Sequence, residues 1–330
     1  MNVGFIGTGW IAERMAKTLL AMEDEGIFLA AVGSRSLEKA REFIENNNAK
    51  NAKAYGSYEE LAADGSLDLI YIATPHSHHF EHAKLCLEAG RNVLVEKAFT
   101  VNAGQARELI KIAQEKKLLL AEAIWTRYMP SRFALEKILA SGIIGEVQSL
   151  ECNLGYNNIH MERMYEPALA GGALLDLGVY VINFALMCFG TDIESIVSSA
   201  DLYHTGTDLH NRITVNFKGG RRAELYASLD ENTDRKGIIR GDGGYIEVEN
   251  INNPEWLRAH VNGANKVQFD VPAQITGLEY QILSCKRVIE NIAAGGSSAE
   301  CPEMPHTEII RVMEIMDGLR KNWGVKYPME

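Results

Sequence analysis

A chain of 330 residues with 46% apolar side chains holds enough material for two domains, each with its own core, and is too apolar to be disordered. A formal net charge of −11, without a basic patch or arginine-rich stretch, argues against nucleic acid or an anionic membrane as partner, while backbone amides can still hold a dinucleotide locally. The N-terminus reads as a strand rather than a charged leader, and no charge-free run is long enough to span a bilayer. Five scattered cysteines without a paired framework read as reduced thiols in a cytoplasmic protein, with Cys152, Cys188 and Cys285 as packing residues.

Val3, Phe5 and Ile6 make a short buried strand, followed by a glycine turn and an amphipathic helix running from Ile11 to about Glu23. Gly7, Gly9 and Ala12 spell G-x-G-x-x-A. Gly7 permits the tight turn, Gly9 lets the backbone approach a pyrophosphate, and Ala12 leaves room for the helix on its strand. Thr8, Trp10 and Ile11 complete the turn, whose amides face an anion at the positive end of the helix. The second strand, Phe28–Gly33, ends in Ser34, Arg35 and Ser36. An NAD-selective site usually places an acid there; a guanidinium between hydroxyls suits a ribose 2′-phosphate, which favours NADP over NAD. Lys39, in the first turn of the helix Leu37–Asn47, adds to the same positive patch, and Ser36 also fits as that helix's N-cap.

Tyr55–Tyr58 leads into a short helix holding Glu59 and Glu60. The apolar strand Asp68–Ala73 then closes at Thr74-Pro75, at the sheet edge where open α/β sheets bind ligands. His76, His78, His79 and His82 crowd the transition to a helix from about Ser77 to Ala89. His78, His82 and Cys86 share a face, but no further ligand joins them in a recognisable pattern, so a cofactor-side loop is expected rather than a metal site. Strand Asn92–Val95 exits through Glu96-Lys97-Ala98, and a helix over Asn102–Glu115 precedes strand Leu118–Ala121. This alternation predicts a parallel sheet covered on both faces, a dinucleotide-binding domain over residues 1–122.

The remainder, residues 123–330, carries strand candidates at Val147–Tyr156, Ile193–Tyr203, Arg212–Phe217, Ala223–Leu229, Gly237–Arg240, Tyr245–Val248 and Val267–Phe269. Gly219-Gly220 and Gly241–Gly244 mark tight turns, so the pattern predicts an α+β domain with a large, mostly antiparallel open sheet. Helices at Pro130–Ala140, Leu174–Leu186, Leu278–Ile292 and Glu308–Lys321 would cover one face, and subunit pairing would satisfy the other. Lys97 sits at the carboxyl edge of the first sheet, while Asp176 and Tyr180 lie four apart on a helix that begins after Gly171-Gly172. If that helix lies over a nicotinamide, a lysine, a carboxylate and a phenol meet at one carbon. A phenol is a poor base at its usual pKa of about 10, an adjacent ammonium favours phenolate, and Asp176 would hold substrate hydroxyls and fix Lys97.

Val3–Ala12 (V-G-F-I-G-T-G-W-I-A), Ala73–His76 (A-T-P-H), Val95–Ala98 (V-E-K-A) and Gly171–Tyr180 (G-G-A-L-L-D-L-G-V-Y) together resemble the glucose-fructose oxidoreductase, inositol dehydrogenase and rhizopine-catabolism (Gfo/Idh/MocA) family. Within it, Ala121–Pro130 (A-E-A-I-W-T-R-Y-M-P) and the D-L-G-V-Y ending are most similar to the dimeric dihydrodiol dehydrogenases, which also oxidise D-xylose with NADP. The resemblance implies a Rossmann domain followed by a substrate-binding domain that dimerises across an open sheet. It implies Lys97 as the family lysine, Tyr180 as acid/base and Asp176 as its companion, with Trp125 and Arg127 in the segment approaching the active site. The implied cofactor set adds Thr74, Pro75, His76, His79, Glu96, Lys97, Trp125 and Arg127. The family's usual proline is Ala98 here, which frees one dihedral and leaves the ammonium available.

The function expected is NADP-dependent hydride transfer at a carbinol or hemiacetal carbon of a sugar, polyol or cyclic trans-diol. Three alternatives stay open: an NAD-dependent inositol dehydrogenase, an enzyme recycling a tightly held cofactor between two sugars, and a non-catalytic dinucleotide-binding regulator. Arg35 weighs against the first, the lack of a clamping N-terminal extension against the second, and intact Lys97 and Tyr180 against the third.

Overall fold

The computed structural model describes residues 1–262, 267–297 and 299–330. They form two compact units, one of residues 1–125 with 274–313 and one of residues 126–273 with 314–330. This grouping departs from a single cut at 122/123, because a segment late in the chain packs with the first unit: the Leu120 amide donates to the Ala299 carbonyl, and His306 Nε2 meets the Leu120 carbonyl at 2.9 Å.

In the first unit, strands β1 (Asn2–Ile6), β2 (Phe28–Gly33), β3 (Lys53–Tyr55), β4 (Leu69–Ile72), β5 (Asn92–Glu96) and β6 (Leu120–Ala123) form one sheet in the order β3-β2-β1-β4-β5-β6. Every pairing is parallel. Val3, Phe5, Leu69, Ile70, Val93 and Leu94 are all fully buried, as expected of strands enclosed on both faces. The helices are α1 (Trp10–Leu20), α2 (Leu37–Asn46), α3 (Tyr58–Ala62), α4 (His79–Glu88) and α5 (Ala103–Lys116). Ser36, Ser57 and Asn102 cap α2, α3 and α5, each side-chain oxygen accepting an amide three residues on. The expected helix from Ser77 instead opens as a 3-10 turn over His76–His78. Strand β3, unforeseen, pairs with β2 at the sheet edge.

The second unit holds α6 (Pro130–Ala140), α7 (Glu162–Tyr165) and α8 (Val179–Phe189). Its sheet comprises β7 (Val147–Gly155), β8 (Ile193–Leu202), β9 (Asp208–Phe217), β10 (Arg222–Ser228), β11 (Gly237–Gly241), β12 (Gly244–Val248), β13 (Trp256–Val261) and β14 (Val267–Asp270). The order is β14-β13-β12-β11-β7-β10-β9-β8, with β7 and β10 parallel and every other pair antiparallel. Gly219 and Gly220 both take positive φ, +83° and +80°, at the β9–β10 turn, the backbone region that a tight hairpin demands. Strand β13 escaped the sequence reading, although Leu257 and Ala259 face inward on it. Helices α9 (Glu279–Ala293) and α10 (His306–Trp323) complete the chain; α9 belongs to the first unit rather than to the later domain.

The apolar α8 packs on β7 and β10. The run Pro167–Phe189 that ends in it has the length and the mean hydropathy, 1.8, of a bilayer span, and its most apolar stretch is 83% buried inside the protein.

Candidate active site

The loops leaving β1, β2, β4 and β5 share the carboxyl edge of the first unit's sheet, where strand order reverses between β1 and β4. Gly7 has φ +107°, and a Cβ there would stand 2.7 Å from the Ala73 carbonyl oxygen, so backbone packing requires glycine. At Gly9 the requirement is different: the backbone is extended, and no atom lies within 4 Å of where a Cβ would stand. Nothing in the fold needs that space, whereas a pyrophosphate pressed against the turn does. The Glu13 amide donates to the Gly9 carbonyl at 3.1 Å, so the amides of Trp10, Ile11 and Ala12 precede the first bond of α1 and lie at its positive end. Trp10 is 66% exposed. These residues fit a dinucleotide.

At the exit of β2, Ser34 is buried, its amide donating to the Tyr55 carbonyl, and Arg35 is exposed. Ser36 does act as the N-cap, accepting the Lys39 amide at 3.4 Å. At the exit of β4, Thr74 Oγ1 meets His82 Nδ1 at 3.1 Å. His79 is fully buried with its ring nitrogens 2.8 Å from the carbonyls of Thr74 and Ala98, which ties the exits of β4 and β5 together. Burial pushes this imidazole down to about 4, although both carbonyl contacts act the other way. His76, 8% exposed, lies edge-on to it.

Lys97, half-buried, is framed by backbone anchors. Tyr71 donates its hydroxyl to Glu96 Oε1 at 2.5 Å, the Lys97 amide donates to Glu96 Oε2 at 3.3 Å, and the Phe99 amide donates to Glu122 Oε1 at 3.1 Å. The Lys97–Ala98 peptide is cis. Glu96 is only 7% exposed and Trp125 only 5%, the latter under the Arg14 guanidinium at 4.5 Å. Both side chains brace that edge of the sheet.

In the second unit, Leu174–Gly178 forms a π turn that runs into α8, so Asp176 and Tyr180 straddle a helix junction rather than one regular α-helix. Gly171 and Gly172 precede it for steric reasons: a Cβ on Gly172, at φ +127°, would stand 2.3 Å from Asp208 Oδ1, and one on Gly171 would strike the Met164 backbone. Asp208 of β9 accepts the Leu174 amide at 2.7 Å and the Asn211 side-chain amide at 2.9 Å. Asp176 is 6% exposed and pairs with Arg163 at 3.3 Å; Tyr180 keeps partial exposure. Arg127 is 1% exposed, and its Nε donates to Asn183 Oδ1 at 2.8 Å; Asn183 in turn donates to the Val179 carbonyl. The enclosed guanidinium thus acts on α8, one turn from Tyr180.

Comparison with known proteins bears on this arrangement. Residues 1–123 match the oxidoreductase family with an NAD-binding Rossmann fold, and residues 134–247 match the GFO/IDH/MocA C-terminal domain. The chain belongs to the Gfo/Idh/MocA oxidoreductase family. A D-xylose 1-dehydrogenase (NADP(+)) of Hypocrea jecorina is 34% identical, covering 98% of this chain and 92% of the relative. A trans-1,2-dihydrobenzene-1,2-diol dehydrogenase of Mus musculus is 33% identical, covering 99% and 98%. Among solved structures, a 3-ketoreductase of Actinomadura kijaniata in complex with NADP and TDP-benzene superposes with TM-score 0.83 at 24% identity over 97% of each chain. An aldose-aldose oxidoreductase of Caulobacter crescentus superposes with TM-score 0.83 at 18% identity, covering 98% and 97%. Family membership fixes the Rossmann domain and the second, mostly antiparallel sheet as this protein's fold class.

Arg163, Asn183, Asp208 and the Tyr71–Glu96 pair were not found from sequence. Each acts across a long separation in the chain, and no local motif marks it. Among the described residues, no group of three or more His, Cys, Asp or Glu is placed to hold a metal ion. Cys86, on the histidine helix, is fully buried with its thiol pushed up to about 12 by desolvation.

Proposed function

We propose that this Gfo/Idh/MocA protein is an NADP-dependent dehydrogenase of CH–OH groups, acting on a carbinol or hemiacetal carbon of a sugar, polyol or cyclic trans-diol. The single observation that carries the cofactor half is the glycine turn: space at Gly9 that packing does not use, ahead of a helix N-terminus, with Arg35 exposed at the next strand's end. The relatives named for D-xylose and for a dihydrobenzene diol, both matched over nearly the whole chain, support the substrate class and, through the xylose enzyme, NADP.

When bound, the nicotinamide supplies the hydride acceptor or donor. The chain supplies the rest. Gly7, Thr8, Gly9, Trp10 and Ile11 hold the pyrophosphate; Ser34, Arg35 and Lys39 hold the ribose phosphate; Thr74 and Pro75 border the cofactor. His76, His79, Glu96 and Trp125 brace that edge, and Arg127 braces α8. Tyr180 carries the proton of the substrate hydroxyl, Lys97 favours its phenolate form and orients the hydroxyl, and Asp176, held by Arg163, orients substrate hydroxyls.

Lys97→Ala and Tyr180→Phe are expected to lower kcat by about 10²–10⁴-fold, the usual worth of acid–base catalysis, while NADP binding persists. Unchanged turnover in both variants would remove these roles. Retained NADP binding without turnover of any aldose, inositol or cyclic diol by the unaltered protein would favour a regulatory protein instead.

The open face of the large sheet supports a homodimer. Val197 on β8 is 66% exposed, and on the same face Arg212 stacks on Tyr226 and Tyr245 on His260 across neighbouring strands. Sedimentation velocity tests this: a dimer that dissociates in Val197→Glu supports the sheet as the interface. A cytoplasmic location is in keeping with five free cysteines.

A further inference from the structure

Arg35, at the exit of β2, has neighbours the cofactor assignment leaves unexplained. Tyr58 at the start of α3 packs edge-on against His82 at 4.6 Å, and His82 stacks on His78 at 5.6 Å. His78 is exposed at the end of the 3-10 turn, with Nδ1 2.8 Å from Ser77 Oγ. The Arg35 charge reaches all three rings. Burial pushes both imidazoles down, His82 to about 4 with the charges of His78 and His79 adding to it; Arg35 adds to the push on both rings and opposes the upward push of burial on the Tyr58 phenol. The groups acting on His82 are Tyr58 and Glu59 from α3, Arg35 from the loop leaving β2, and His78, His79 and Thr74 from its own loop and helix. Among the described residues no ion pair forms on Arg35, His78 or His82. The Arg35 charge thus acts on two stacked imidazoles at the carboxyl edge of the sheet, and Glu59 of α3 acts on His82 and Tyr58 in the same cluster.

Resting on the NADP reading above, we infer that His78 and His82 form a titratable second half of the ribose 2′-phosphate site, so that NADP binding takes up a proton and discrimination against NAD sharpens as pH falls. The phosphate dianion screens Arg35 and adds a favourable partner for imidazolium, which reverses the local cost of protonation. No bond is made or broken. The proton comes from solvent, and the ligand's extra charge is what draws it in. Binding of NAD, which lacks that phosphate, is expected to be unlinked to these rings.

The test is calorimetric titration of the whole protein with NADP and NAD at pH 8 and pH 6.5, in two buffers of different ionisation enthalpy. The acid limit stays above the phosphate's own second pKa of about 6. The NAD-to-NADP ratio of Kd is expected to rise about five-fold towards pH 6.5, the effect of partial protonation of one site, with proton uptake on NADP alone. In His78→Gln and His82→Gln both the rise and the uptake should shrink. A flat ratio in the unaltered protein overturns the inference without any variant, and a slope unchanged in both variants assigns it to the phosphate and overturns it too. Absence of NADP preference at every pH overturns the cofactor reading itself, and this inference with it.

Discussion

The Leu174 amide donates to Asp208 Oδ2 at 2.7 Å, so a strand residue 34 positions away caps the π turn that carries Asp176. Asp208 is fully buried, and desolvation raises its carboxyl to about 6 despite the amides of Leu174 and Asn211. Against an unfolded value of about 3.9, the folded state holds the extra proton in between. That contribution is fully present below about pH 4 and is lost as pH rises through about 6. Asp208→Asn keeps an acceptor for Leu174 and removes the titration. Its melting temperature should gain on the unaltered protein between pH 5 and 7.5 by a few degrees, of order 2 kcal/mol. Parallel melting curves across that range would place the titrating group elsewhere.

Arg127 donates to Asn183 from a position with 1% exposure. Asn183→Leu is nearly isosteric and removes the acceptor, leaving a buried guanidinium N–H without it. The expected loss is about 2 kcal/mol of stability, as for hydrogen bonds to charged groups, with kcat reduced through α8 and the Kd for NADP unchanged. Urea denaturation and NADP titration on the same variant separate the two outcomes. A ten-fold loss of NADP affinity would put Arg127 back in contact with the cofactor.

Asp208 and Asn183 also mark what the sequence could tell. The parallel sheet was readable because β4 is an unbroken apolar run and β1 and β5 each carry one behind a leading Asn, a pattern that strands covered on both faces need. The glycine turn was readable because its steric demands are local. Strand β3 has three residues, and β13 buries only Leu257 and Ala259, alternating with Arg258 and His260, so neither stood out from a loop. The braces behind the chemistry were invisible for another reason. A carboxylate from β9 reaching a helix start, or a guanidinium reaching α8, is defined by tertiary packing, and the residue types alone resemble ordinary surface polar groups.

Trp10 is 66% exposed at the first position of α1, beside the turn assigned to the pyrophosphate. Its indole should change environment when a dinucleotide binds, while Trp125, Trp256 and Trp323 stay less exposed. Adding NADP is expected to alter tryptophan emission, and Trp10→Phe should remove most of that change at equal saturation. A change of full size in Trp10→Phe would mean that the dinucleotide does not pass this turn.

Gly7 and Gly9 are two residues apart and should fail in opposite ways when a methyl group is added. Gly7→Ala forces an L-residue to φ +107° and drives Cβ to 2.7 Å from the Ala73 oxygen, so stability should fall by at least about 2 kcal/mol whether or not cofactor is present. Gly9→Ala meets no protein atom within 4 Å in an extended conformation that any residue adopts, so its melting temperature should stay within about a degree of the unaltered protein. The methyl group would instead stand where the pyrophosphate is assigned and raise the Kd for NADP about ten-fold or more, 1.4 kcal/mol or above. Thermal melts with and without NADP read both effects at once: Gly7→Ala lowers both curves, and Gly9→Ala lowers only the stabilisation by ligand. If Gly9→Ala binds NADP as well as the unaltered protein does, the open space at that turn is not the cofactor's.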